Sequence, residues 1–468
     1  MMDRVGSPRR SAEAAADPGD DGGRAARRVQ GTYYTLTLGN TLAASFIWGI
    51  NTLFLLDAGL SNLEAFAANA FFSVGMFVFE IPTGVVADTV GRRASYLLGT
   101  LTLAATTAMY WMLWVWQSPF WAWAIVSILL GLGFTFFSGA VDAWLVDALQ
   151  ATGYRGSLEA VFGRAIVVGN VAMLGGSVLG GVIAQLSNLG VPFLIRAGIL
   201  IVMFAVAAIL MHDLGFTPER GAGPIKATGQ VFRASVKYGL GRRPVRWLMF
   251  TTPFTTGVGF YAFYALQPYL LELWGDEGAY SIAGLAAALL SGAGIVGGLL
   301  APVVRRRFRK RTSVILLATV LSSIVLLALG LVANFWLAVA LIAVWGVSSS
   351  IDDPVHRAYL NDMIPSKQRA TVLSFDSLLG SAGGAVVQPA LGRAADIGGY
   401  GFSLLCSGVV QVLAAPFVLL SRAEHDPADT ARQVADGSGD GTSPADDAGE
   451  AGEGDGPATD ATLPPPAS

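Results

Sequence analysis

Within a long apolar stretch the chain reads Ser348-Ser-Ser-Ile-Asp352-Asp353-Pro354-Val-His356-Arg357. On a helix, Asp352 and His356 are four apart and meet on one face, while Asp353 and Arg357 meet on the next. Pro354 removes a backbone donor and weakens the helix locally. Arginine keeps its charge at any working pH, which leaves Asp352 and His356 as the pair able to change protonation. Burial disfavours the charged form of each and mutual attraction favours it, so the two would titrate as a coupled pair. The chemistry implied is proton uptake and release in a dry interior. A buried polar cluster that only satisfies itself would carry the same residues.

A second polar stretch, Glu80-Ile-Pro-Thr-Gly84-Val-Val-Ala-Asp88-Thr-Val-Gly91-Arg92-Arg93, interrupts two apolar runs. Gly84 is expected to let a neighbouring helix approach closely. Asp88 puts a carboxylate where an anion is costly unless paired. Gly91 permits a tight turn. Glu80, one helical turn before Gly84, either lines a cavity or braces the turn from behind. Three further ionisable groups lie in apolar segments: Asp142, Asp376 and Arg196. Asp376 caps polar neighbours or joins the proton chemistry, and Arg196 is expected to snorkel to the surface. Tyr261, Tyr264 and Gln267 recur about one helical turn apart. With Trp48 and Asn51 they would make an aromatic, weakly polar pocket, although such a stripe is more often a packing surface.

These groups need elements to hold them, and the composition says which. The chain has 468 residues, 53% of them hydrophobic and only 13% charged. Soluble domains carry about 25% charged residues. Apolar windows of about 20 residues suffice to cross a bilayer, and twelve can be read, near 33–57, 64–87, 95–116, 119–148, 159–185, 190–211, 246–271, 280–303, 312–332, 335–363, 371–394 and 400–421. Arg92, Arg93, Arg155, the run Arg305–Arg311, Lys367 and Arg369 all fall in even-numbered loops, so the positive-inside rule puts both termini in the cytoplasm. Residues 1–30 lack the apolar core of a signal peptide and read as a disordered cytoplasmic arm. Residues 31–211 form one six-helix half and 246–421 the other. Between them, 212–245 repeats Phe232, Val236 and Leu240 on one face, as an amphipathic helix on the inner leaflet would. The acidic segment 422–468 reads as a disordered tail. The single cysteine, Cys406, excludes a disulfide within the chain, and no metal or cofactor motif occurs. No phosphate-binding loop and no nucleic-acid surface is present.

The spacing Gly84-x-x-x-Asp88-x-x-Gly91-Arg92-Arg93 resembles the loop between helices 2 and 3 of the major facilitator superfamily of transporters. The two halves also resemble each other. One span ends Asp142-Ala-Trp-Leu-Val-Asp147, and its counterpart ends Arg357-Ala-Tyr-Leu-Asn-Asp362. The basic loop recurs after span 8, without the glycine and aspartate of its first copy. The resemblance implies an all-α integral membrane fold of twelve helices in two repeated halves, with the substrate cavity between them. It further implies a latch, in which Asp88 docks at the helix start near Ala370 and Thr371 when the cavity opens outward, and Arg92 pairs with Asp88 and Asp147. Asp142 and Arg357 would face each other across the cavity as an ion-pair gate, unless Asp353 takes Arg357 along its own helix.

Antiporters of the superfamily often carry Gly-x-x-x-Gly-Pro-x-x-Gly-Gly in span 5. Here Gly176–Gly181 matches the second half, but Ser177 replaces the proline and Ala172 the first glycine, and close helix packing explains the glycines as well. Phe79–Gly84 and Ile364–Thr371 resemble a prokaryotic group often labelled as drug exporters. The expectation is therefore a monomeric, cofactor-free secondary transporter of the cell membrane, not an enzyme. It would exchange an amphipathic small molecule for protons through Asp352, His356, Asp353, Glu80 or Asp376. A proton-linked uptake symporter is the alternative, and a sensor or enzyme on the same fold the more distant one.

Overall fold

A backbone passing through hydrocarbon must satisfy its own polar groups, and a helix does this within one segment. The computed structural model describes residues 18–137, 139–218, 239–364 and 369–430. Among these residues all regular structure is helical. The helices are α1 (Pro18–Trp48), α2 (Asn51–Asp57), α3 (Asn62–Thr89), α4 (Arg92–Val115), α5 (Phe120–Thr135), α6 (Ala140–Ala151), α7 (Leu158–Leu186) and α8 (Val191–Leu210) in the first half. The second half has α9 (Arg243–Met249), α10 (Thr252–Trp274), α11 (Tyr280–Arg307), α12 (Arg311–Leu329), α13 (Phe335–Met363), α14 (Arg369–Val412) and α15 (Ala414–Ala423).

Nine of the described helical stretches are long and apolar enough to cross a membrane, and the pair α1–α2, bent by 46°, makes a tenth. The distance to twelve has two sources. Helix α10 is not among the nine, and the stretch Val372–Ala423 counts once although it is 52 residues long. Gly399 interrupts that stretch with φ 75° and ψ 178°, a conformation that glycine adopts without strain.

Two boundaries differ from the sequence reading. Helix α1 already begins at Pro18, and Ala26 and Val29 are buried. Residues 24–28, Arg-Ala-Ala-Arg-Arg, are good helix formers, and the helix covers apolar surface through Ala26 and Val29, so regular structure is present well before residue 31. At the other end Pro427–Asp429 forms a 3-10 turn with Asp429 buried, so the ordered chain runs past residue 422. The segment around Phe232 and Val236 lies outside the described residues.

The apolar cores are arranged unequally along the helix axes. At the end away from the arginines, one continuous core joins both halves. It takes in Ile50, Phe54 and Phe66 from the first half and Tyr261, Leu270, Ala283 and Leu404 from the second. At the basic end each half keeps its own core, around Tyr96, Trp144 and Leu145 in the first and around Val245, Tyr359 and Val372 in the second. The two halves are thus closed upon each other at one end and packed separately at the other.

Candidate functional site

Three helices of the second half bring polar and ionisable groups together in the interior. His356 on α13 is 7% exposed, and its Nε2 lies 3.3 Å from Asp376 Oδ2 on α14 without the alignment of a hydrogen bond. The Thr252 hydroxyl on α10 donates to Asp376 Oδ1 at 2.7 Å. One turn before His356, the Asp352 Oδ1 atom is buried and has no hydrogen-bond partner. His356 therefore turns across to Asp376 instead of making a closed pair with Asp352 along its own helix. Spacing within one helix cannot reveal a partner that tertiary packing brings from another. An imidazole between two carboxylates, one of them unsatisfied, can hold a proton at several positions. Asp353 stands apart from this cluster and is exposed.

At the basic end the first half builds an arginine clamp. Gly91 has φ 131° and serves as the N-cap of α4. Arg92 bonds to Asp88, and its Nε lies 3.9 Å from Asp147 Oδ2. The Arg93 backbone N–H donates to Asp213 Oδ1 at 2.9 Å, and its guanidinium donates to the Ala208 carbonyl at 2.6 Å. The second half repeats the plan. Arg311 Nη2 pairs with Asp362 Oδ2 at 2.6 Å, and Nη1 donates to the Ala358 carbonyl at 3.0 Å. The Thr312 backbone N–H donates to Asp429 Oδ1 at 2.8 Å. Asp213 and Asp429 thus do the same work, offering a carboxylate to the orphan N–H groups and positive dipole end of a helix. The copies differ four residues before the arginine, where Asp88 in one is replaced by Arg307 in the other.

Two expectations for this end need correction. Gly84 has open space where a side chain would sit, so it does not mediate a close helix contact here. A close contact of α3 is made earlier in the helix, by Gly75 against the Ile128 backbone. Asp142 and Arg357 do not pair in this structure. Asp142 accepts a hydrogen bond from the Tyr33 hydroxyl at 2.6 Å, and Arg357 Nε bonds to Asp353 Oδ1 at 2.8 Å on the exposed face of its own helix. The halves are packed separately at this end, which leaves each group to its nearest local partner. Glu80 is half-buried on α3. The proposed Asp88 docking position at Ala370 and Thr371 falls where side chains are not described.

The residues expected to form a pocket divide into sealing and lining groups. The Tyr261 hydroxyl is spent on Ser403 Oγ at 2.5 Å, and its ring packs on Phe66 of the other half. Gln267 Nε2 donates to the Trp48 carbonyl at 2.7 Å, and the Thr52 hydroxyl donates to the Tyr264 carbonyl at 3.1 Å. Asn51 Nδ2 donates to Asn69 Oδ1 at 3.0 Å within the first half. Tyr261 and Gln267 therefore tie the halves together. The Tyr264 ring and Trp48 remain half-buried beside Phe263.

The sequence reading missed the chemistry of the joined end. Asp396 on α14 accepts the N–H groups of Asn62 and Leu63 at 2.9 and 3.0 Å, capping α3 from the other half. Gln185 Oε1 on α7 accepts the Ser281 N–H at 3.1 Å, capping α11 from the first half. Each cap follows a glycine by four residues, and each glycine sits against the helix being capped. A Cβ at Gly181 would meet the Tyr280 carbonyl at 2.6 Å, and one at Gly392 would meet the Asn62 carbonyl at 2.8 Å. The shared spacing Gly181-x-x-x-Gln185 and Gly392-x-x-x-Asp396 was the available signal. Of the other glycines of span 5, Gly180 packs against the Phe46 backbone and Gly176 against Ser45, while Gly175 faces open space. Arg196 also departs from expectation, being only 2% exposed.

A family model described as Major Facilitator Superfamily matches residues 33–318 and 276–446. An uncharacterized MFS-type transporter of Methanocaldococcus jannaschii is 24% identical over 196 residues, covering 42% of this chain and 49% of that protein, so the match spans about half of that relative. The crystal structure of the nucleoside transporter NupG aligns with a TM-score of 0.71 at 10% identity, over 84% of this chain and 99% of the other. The POT family transporter PepTSo aligns at 0.64 with 12% identity, over 85% and 98%. The D-xylose-proton symporter aligns at 0.60 with 15% identity, over 84% and 96%. At such identities the likeness is one of fold.

Proposed function

Because the chain belongs to the Major Facilitator Superfamily, we propose that this multi-pass membrane transporter exports an amphipathic small molecule in exchange for protons. The observation that carries the reading is the buried cluster of Thr252, Asp376, His356 and Asp352, which joins three helices of one half. Ionisable groups inside a membrane are expensive and are retained where they carry ions or protons. Asp352 and His356 take up a proton and pass it on, with Asp376 as the partner that holds the imidazole.

In this reading the chain crosses the cell membrane twelve times. The nine described stretches are joined by the α1–α2 pair and by α10, and Val372–Ala423 crosses twice around Gly399. The arginine-rich end is cytoplasmic by the positive-inside rule. The joined core then closes the outer end, and the conformation is one in which the cytoplasmic ends have parted. Asp142 and Arg357, apart here, pair when that end closes, and Asp88 leaves Arg92 for the start of α14. The transporter works as a monomer.

The test is substrate-induced proton movement in vesicles carrying Asp352→Asn or His356→Gln. At least one variant should keep substrate binding and lose proton movement. Normal proton movement by both would remove the cluster from the coupling. Inside-out vesicles under an imposed pH gradient distinguish export from the proton-linked uptake that the fold also accommodates.

A further inference from the structure

Arg196 lies in the interior of the first half, 2% exposed, and among the described residues no carboxylate pairs with it. Among the described residues its side chain enters no ion pair and donates no hydrogen bond, and its Nε is buried without a partner. Its guanidinium rests 5.8 Å from the centre of the Phe134 ring on α5. The surrounding polar groups are neutral hydroxyls. Tyr110 on α4 is within electrostatic reach and shares a 2.6 Å hydrogen bond with Ser127, and Tyr264 approaches from α10 of the other half. A cation sealed in an apolar interior beside a ring and two phenols is an expensive feature. Every other arginine for which a buried position is described has an anchor; Arg311, 3% exposed, has Asp362 and a backbone carbonyl.

We infer that Arg196 is the anchor for a negatively charged group, a carboxylate or a phosphate monoester, on the molecule this protein transports. The guanidinium is a planar fork that matches either group. Phe134 and the phenol rings of Tyr110 and Tyr264 supply the apolar and aromatic walls for the rest of an amphipathic ligand. Because Tyr264 belongs to the second half, parting of the halves at the joined end uncovers the site, and a ligand that binds there selects that conformation. This inference rests on the transporter reading and adds the charge of the substrate to it.

The experiment uses the full chain in detergent, as wild type, Arg196→Met and Arg196→Lys. The probes are 2-naphthoate and 1-naphthyl phosphate, with 2-naphthamide as the neutral match, and binding is read by calorimetry. The two anions should bind wild type roughly tenfold or more tightly than the amide, the advantage of a charge-assisted contact. Arg196→Met should erase that preference, and Arg196→Lys should keep part of it. Without ligand, Arg196→Met should melt no lower than wild type, since it removes an unpaired buried charge while filling similar space. Equal binding of amide and anions, undiminished anion binding by the methionine variant, or no binding of either anion would overturn the inference. So would a methionine variant that melts several degrees lower, which would make Arg196 a structural residue. The transporter reading fails separately, in the proton assay of Asp352→Asn and His356→Gln, which involves neither Arg196 nor these probes.

Discussion

At the joined end the halves meet along two seams, α7 against α11 and α3 against α14. Both use a glycine to bring backbones together and a side chain four residues later to cap the opposing helix. In the α7–α11 seam the cap is Gln185, a neutral amide taking one N–H. In the α3–α14 seam it is Asp396, a carboxylate taking two, and the Tyr400 hydroxyl adds a bond to Asn62 in the same seam. An anion at a helix N-terminus gains from the dipole as well as from the hydrogen bonds, about 0.3–1 kcal/mol at an exposed site. Duplication therefore supplied one geometry twice, and the two copies hold with unequal strength. The α3–α14 seam should hold more tightly, and the α7–α11 seam should yield first when this end opens.

The comparison can be broken most forcefully at a glycine. Gly181→Val places a side chain against the Tyr280 carbonyl and Gly284, where backbone cannot give way cheaply. Overpacking of this kind costs about 1–3 kcal/mol and falls only on the joined state. A cysteine at Ala184, 1% exposed, in a Cys406→Ser background reports the opening through its reaction with a membrane-impermeant maleimide. The reaction should quicken by roughly tenfold or more, following the population shift. An unchanged rate would mean that this glycine does not hold the seam.

Removing the charge at the other seam should matter less. Asp396→Asn keeps one accepting oxygen but turns an NH2 donor toward the second N–H and loses the ion–dipole attraction, so the same cysteine should react about three- to eightfold faster. Gln185→Leu should do less than twofold, because water replaces one exposed neutral bond at little cost. Gln185→Glu sharpens the comparison by giving both seams an anion, and it should slow the reaction below the wild-type rate. If Gln185→Leu exceeded Asp396→Asn, the ranking of the seams would be reversed.

Much of this was legible in the sequence where local rules operate. The turn around Gly91 and the segregation of arginines follow from residue type and spacing alone. So does the repeat of Asp147 in Asp362. What escaped was decided by partners far along the chain. His356 meets Asp376 on the next helix, which an i, i+4 rule cannot find. Asp213 and Asp429 fall in the segments read as loop and tail, yet each caps a helix that begins with an arginine. Gly84 was assigned a packing role from its motif, although close packing depends on what lies opposite. Arg196 did carry a signal, since the buried face of α8 runs Arg196, Leu200, Met203 and Ala207 at helical spacing. A residue on that face has no route to snorkel outward.

The central claim is that the two ends of the molecule open in opposition. Spin labels at Asn188 and Glu277 report the joined end across the halves, and labels at Ala151 and Asn361 report the basic end. Pulsed electron–electron distance measurements on both pairs, in wild type and in Gly181→Val, test the claim most directly. The account predicts that Gly181→Val lengthens the Asn188–Glu277 distance and shortens the Ala151–Asn361 distance in the same population. Both distances lengthening together, or the first changing while the second stays fixed, would contradict it.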